Sequence, residues 1–138
     1  MNKMFYNNFF AAGHHHDWRD APGKLVVLGY IMDNIKEQSS LLDIGCGDGY
    51  LINRISNEAK NRDCAVSCIG IDISDEAIRI ASENYASIKF DVMDAQDMKF
   101  DQAEFEVVVS YGVFEHLSHP AVSITEASRV LRKGGYLR

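Results

Sequence analysis

The sequence holds only two prolines and three cysteines, and no apolar run approaches the ~18 residues needed to cross a bilayer. Scarce proline beside a hydrophobic share of 46% argues against a disordered or linker-rich chain, so the 138 residues read as one globular domain. An odd cysteine count disfavours a disulfide framework, as does a start, MNKMFYNNFF, that lacks the apolar run and small-residue cleavage site of a signal peptide. Reduced thiols and a cytoplasmic location are the default. A zinc site needs about four ligands, and Cys64 and Cys68 lie far from the histidines in sequence. Basic charge is short as well: 14 Lys and Arg stand against 20 Asp and Glu, net −6, and they are scattered. Such a chain offers no footprint for gripping a phosphate backbone, which disfavours a nucleic-acid partner.

A further absence falls in LLDIGCGDGY, Leu41 to Tyr50. A dinucleotide fingerprint has glycine at relative positions one, three and six, but here the glycines fall at one, three and five and Tyr50 stands sixth. An NAD-binding dehydrogenase is thereby disfavoured. No Lys follows the loop, which excludes a P-loop.

What is present is a repeating alternation of short apolar runs with amphipathic segments. Leu41 to Gly45 reads as a buried strand and Tyr50 to Lys60 as a helix, with Leu51, Ile52 and Ile55 at helical spacing. Ala65 to Ile71 follows as a second strand, then a helix over Ser74 to Tyr85 with Ser74 as N-cap. Ser87 to Phe90 makes a short third strand and Phe105 to Ser110 a fourth, buried on both faces. A helix over His119 to Leu131 opens at Pro120, Gly134 and Gly135 break it, and Tyr136 to Arg138 begins a fifth strand. Lys24 to Ile35 is an apolar helix packed on the sheet. This order predicts an α/β fold with a Rossmann-like parallel sheet, flanking helices and a crevice at the strands' carboxyl ends. Residues 24–138 form its core. Residues 1–23, with Phe5, Tyr6, Phe9, Phe10 and Trp18, are too aromatic to stand free in water, so they form either a lid over the crevice or plain core packing.

Gly45 and Gly47 let a ligand approach the backbone, and the helix after them offers free N–H groups to a carboxylate. Asp72, closing the second strand about 25 residues on, suits ribose hydroxyls. Asp94 stands where it can accept from an exocyclic amine such as that of adenine. Together with Asp43 these carboxylates suit a ligand bearing a cation and repel a pyrophosphate. An adenosine carrying an amino acid meets all three requirements. Each acid also has a plainer reading, as a cap or a loop carboxylate.

The blocks LLDIGCGDG, GIDIS, FDVMDAQDM, FEVVVSYGVFEHLSHP and RVLRKGG, in this order over about residues 25–138, resemble the class I S-adenosylmethionine-dependent methyltransferases of small-molecule type. The resemblance implies S-adenosylmethionine as cofactor, S-adenosylhomocysteine as product and a small-molecule methyl acceptor. It also implies that Gly45, Cys46 and Gly47 line the methionine moiety, that Asp72 takes the ribose hydroxyls and that Ile73 flanks adenine. Asp94 and Ala95 then meet its amino edge, and Ser110 and Tyr111 face the cofactor. No protein nucleophile is needed; His116 is either a general base for an acceptor hydroxyl or a helix-packing residue. His14, His15 and His16 read as a solvated turn in preference to a metal tract.

Members of that family continue past the RKGG turn, so the fold is expected to be incomplete, its C-terminal strands missing. The fourth strand is then an open edge that a second copy or a partner chain would cover. Two functions follow: a methyltransferase, or a non-catalytic module that binds an adenosyl ligand or needs a partner chain.

Overall fold

The computed structural model describes residues 2–19 and 21–137, and of Trp18 the backbone alone. The side chain of Trp18, and Arg138 of the expected fifth strand, lie outside the described residues. Strands β1 (Ser39–Ile44), β2 (Val66–Asp72), β3 (Lys89–Val92), β4 (Phe105–Ser110) and β5 (Leu131–Leu137) form one parallel sheet in the order β3-β2-β1-β4-β5. Around it lie α1 (Lys3–Ala11), α2 (Pro22–Asn34), α3 (Tyr50–Asn61), α4 (Asp75–Asn84) and α5 (Pro120–Val130), with 3-10 turns at His14–Trp18 and Phe114–His116. The chain steps outward from β1 to β3 on one side and returns to the other side at β4. That reversal opens a crevice at the carboxyl ends of β1 and β4.

The central strands carry the core because apolar residues serve both their faces. Leu42 and Ile44 of β1 pack with Ile71, Val108 and, from α5, Ala127 and Val130. Leu41 points the other way, towards Val107, Val109, Ile31 of α2, and Ile52 and Ile55 of α3. Asp43, two residues after Leu41, therefore points to the α2 and α3 side and is buried there. Helix α4 begins as expected: the Ser74 hydroxyl accepts from the Ala77 N–H at 3.1 Å, and Asp75 and Glu76 occupy its positive end.

The C-terminal part departs from expectation. Helix α5 ends at Val130 and β5 starts at once, so Gly134 and Gly135 lie inside a strand instead of merely ending a helix. The register shifts between Phe105↔Leu131 and Val107↔Tyr136, which makes the intervening residues a bulge, and Gly134 takes a φ of +83° there. A Cβ on Gly135 would lie 2.5 Å from the Glu106 carbonyl oxygen, so only glycine allows that approach. Strand β4 is consequently paired on both sides, by β1 and β5. It is not the open edge; among the described residues the outer strands are β3 and β5. Glu106 adds to this closure, accepting from the Ser40 N–H at 2.6 Å and pairing with Arg132. The third strand sits two residues later than expected because Ile88 turns inward to the core just before it. No helix among the described residues is long and apolar enough to cross a membrane.

Candidate active site

A cavity of about 440 Å³ lies in the crevice. Its floor is the loop after β1. Gly45, Gly47 and Gly49 have φ of +72°, +57° and +81°, the left-handed region, which explains why the loop is spelled with glycines. A Cβ at Gly45 would fall 2.2 Å from Val113, so space as well as torsion forbids a side chain. The N–H groups of Gly45 and Cys46 both donate to the Ile71 carbonyl, at 2.8 and 2.9 Å, stitching the loop to β2.

Asp72 completes that stitching. One carboxylate oxygen accepts from the Gly47 N–H at 3.0 Å and the other from the Ser74 N–H at 2.9 Å, so Asp72 joins the glycine loop to the start of α4. Burial pushes its carboxyl above the usual range, and the backbone donors at Ser74 and Gly47 act against that rise. Each oxygen keeps a lone pair for a ligand hydroxyl. Asp43 is more deeply set: burial raises it to about 8, with Lys24 pulling it down and Asp72 adding to the rise. Asp94 accepts from the Gln96 N–H at 2.8 Å and lines the wall with Ile73, Met93 and Ala95.

Of the residues expected at the site, Asp43, Gly45, Cys46, Gly47, Asp72, Ile73, Asp94, Ala95 and Tyr111 all line the cavity, and so does His116. Ser110 does not; its hydroxyl is buried with no hydrogen-bond partner among the described residues, and the next residues, Tyr111 and Gly112, line the cavity. His116 and Glu115 are exposed.

The N-terminal segment, expected as a lid or as core packing, contributes residues that sequence reasoning did not assign to the site. Tyr6, Phe9 and Phe10 of α1 line the cavity, and Phe10 packs against Gly47. The Asn7 side-chain oxygen accepts from the Ser74 hydroxyl at 2.6 Å and the Glu76 N–H at 3.3 Å, and Lys3 pairs with Asp75 at 3.0 Å. His15 is not part of a solvated turn; it is buried, with its ring centre 5.1 Å from that of Phe10. Asp48, the acid between Gly47 and Gly49, is buried as well and receives Arg19 Nε and Nη2, both at 2.9 Å. An acidic residue inside a glycine loop was a signal in the sequence, but its partner lies 29 residues upstream.

Fold and cavity define a Rossmann-like α/β domain with its cavity at the topological switch point of the sheet. Residues 42–138 match the family described as "Methyltransferase domain", and the chain belongs to that family, among the class I S-adenosylmethionine-dependent methyltransferases. It is 35% identical over 108 residues to ajmaline N-methyltransferase of Rauvolfia serpentina, covering 74% of this chain and 35% of that protein. Over 145 residues it is 29% identical to the ubiquinone biosynthesis O-methyltransferase of Pelagibacter ubique, covering 88% and 58%. In fold it is similar to the protein solved in complex with the Haloferax volcanii Trm112 methyltransferase activator, with a TM-score of 0.82 and 21% identity over 96% of this chain and 57% of that one. The chain thus spans between about a third and three fifths of the length of these relatives.

Proposed function

We propose that the protein transfers a methyl group from S-adenosylmethionine to a small-molecule acceptor in the cytoplasm, releasing S-adenosylhomocysteine. The observation that carries this reading is the convergence of Asp43, Asp72 and Asp94 on one cavity floored by the backbone of Gly45 to Gly47. The Asp72 and Asp94 acids repel a pyrophosphate and suit a ligand with a ribose and a cationic amino-acid end, while Asp43, which keeps its proton up to about 8, offers hydrogen bonds.

The cofactor supplies the activated methyl group; the chain's work is to bind, align and exclude water. Gly45, Cys46 and Gly47 take the methionine moiety and Asp72 the ribose hydroxyls. Ile73 packs on the adenine face, while Asp94 and Ala95 meet its amino edge and Tyr111 closes the cofactor side. His116, exposed on the cavity lining, takes the proton of an acceptor hydroxyl. Residues 3–19 act as a lid: Tyr6, Phe9 and Phe10 form an apolar wall that excludes water from the transfer.

The test is calorimetric titration of the folded chain with S-adenosylhomocysteine, with NAD as control, repeated on Asp72→Ala. Saturable binding of the first ligand alone, at least about tenfold weaker in the variant, supports the cofactor reading. Binding of NAD, or of neither ligand by a chain that circular dichroism shows folded, overturns it. Binding without turnover on any acceptor would instead favour a non-catalytic adenosyl-binding module.

A further inference from the structure

Among the groups lining the cavity, His15 stands out because nothing among the described residues satisfies it. The residue is 6% exposed, and neither ring nitrogen has a hydrogen-bond partner among the described residues. Its Nε2 lies 3.6 Å from Asp48 Oδ2, beyond hydrogen-bond length. A buried polar group left without a partner is destabilising, and one facing a cavity points to a partner that arrives with the ligand.

The ring's location narrows that partner. The His15 ring lies tilted against those of Phe10 and His16, with ring centres 5.1 and 4.2 Å away, and Phe10 rests on Gly47. The imidazole therefore sits above the glycine loop, away from the Asp94 wall. Arg19, four residues on, has its guanidinium held on Asp48 Oδ2, the same oxygen that lies 3.6 Å from His15 Nε2. The other oxygen, Asp48 Oδ1, accepts from the Tyr50 N–H at 3.1 Å. Asp48 thus occupies the first N–H of α3, a donor that an anionic ligand end would otherwise use, and its own charge is matched by Arg19. A ligand carboxylate at this end of the loop needs another donor, and His15, whose ring nitrogens make no hydrogen bond among the described residues, lines the same cavity.

We propose that His15 donates a ring N–H to the carboxylate of the ligand's amino-acid end, and that the Arg19–Asp48 pair positions the ring to do so. The inference rests on the cofactor reading above. It makes the N-terminal segment a reader of the ligand as well as a cover.

Two ligands separate this role from a structural one: S-adenosylhomocysteine, and 5′-methylthioadenosine, which keeps the nucleoside and the sulfur but lacks the amino-acid end. Each is titrated calorimetrically into the wild-type chain, His15→Ala, His15→Asn and Arg19→Leu, all checked for folding. His15→Ala should weaken S-adenosylhomocysteine by roughly ten- to a hundredfold, the loss of a hydrogen bond to a charged group, and leave methylthioadenosine unchanged. His15→Asn, which keeps an N–H donor, should recover part of the loss, and Arg19→Leu should show the same selectivity with a smaller effect. Equal weakening of both ligands, or of neither, overturns the proposal. A folded wild-type chain that binds neither ligand overturns the cofactor reading and this inference with it, a result distinct from either.

Discussion

Asp43 and Asp72 show how one residue type at the end of adjacent strands comes to do different work. Asp72 is held by two backbone donors and is ready for further hydrogen bonds, whereas Asp43 sits among apolar groups and holds its proton up to about 8. In the unfolded chain an ordinary aspartate loses its proton near pH 4, so between the two values the folded form binds more protons. The stability this gives is full at low pH and is lost as pH rises through about 8. Asp43→Asn removes the dependence; the melting temperature of the variant minus that of the wild type should therefore climb between about pH 5 and about pH 8.5. Thermal denaturation across that range checks it, and a flat difference would mean that Asp43 ionises as an ordinary carboxylate. Glycine offers a second contrast. Gly45→Ala should lose binding and much of the stability, since its φ is positive and Val113 fills the space, while Gly29→Ala, exposed in α2 with nothing within 4 Å, should gain roughly 0.5–1 kcal/mol by denaturant titration. The glycines and strand-end acids were legible in the sequence because their chemistry is local. Asp48 and His15 were not, because a histidine triplet reads as polar and the partner of Asp48 is remote in the chain.

At the level of elements, the start of α4 serves two masters. Ser74 caps the helix and also donates to Asn7 of α1, so the same hydroxyl ends one element and anchors another. Ser74→Ala should cost about 1–2 kcal/mol in urea denaturation, with Ser74→Asn, another good cap, recovering part of it. Loss confined to a few tenths would mean that neither bond contributes. The strand and helix alternation through β4 could be read from apolar periodicity, since β1 and β4 are largely buried runs and β2 becomes buried at Gly70 and Ile71. Of strand β5 only the end, from Tyr136, could be read; its start could not, because LRKGG is polar and glycine-rich and its pairing depends on the bulge and on contacts to Glu106 made across the sheet. Nor could sequence alone decide whether the aromatic N-terminal residues pack in the core or cover the crevice, since burial against a cavity and burial in a core select the same side chains.

For the molecule as a whole, the N-terminal segment is fastened at two separated points, Asn7 on α4 and Arg19 on Asp48. Removing both fastenings with Asn7→Ala and Asp48→Asn should raise amide hydrogen exchange in residues 3–19 and leave β1 and β4 protected. Exchange that rises throughout the sheet would instead make these contacts part of the global fold. The rings that α1 turns inward have a further consequence. If residues 3–19 are the proposed lid, Tyr6, Phe9 and Phe10 would meet water whenever the segment lifted, so the empty protein would rest shut and each passage in or out would wait for an unfavourable opening. Entry of the nucleoside and departure of the spent one then share a gate. The dwell time of product follows from three aromatic rings as much as from the carboxylates beneath them.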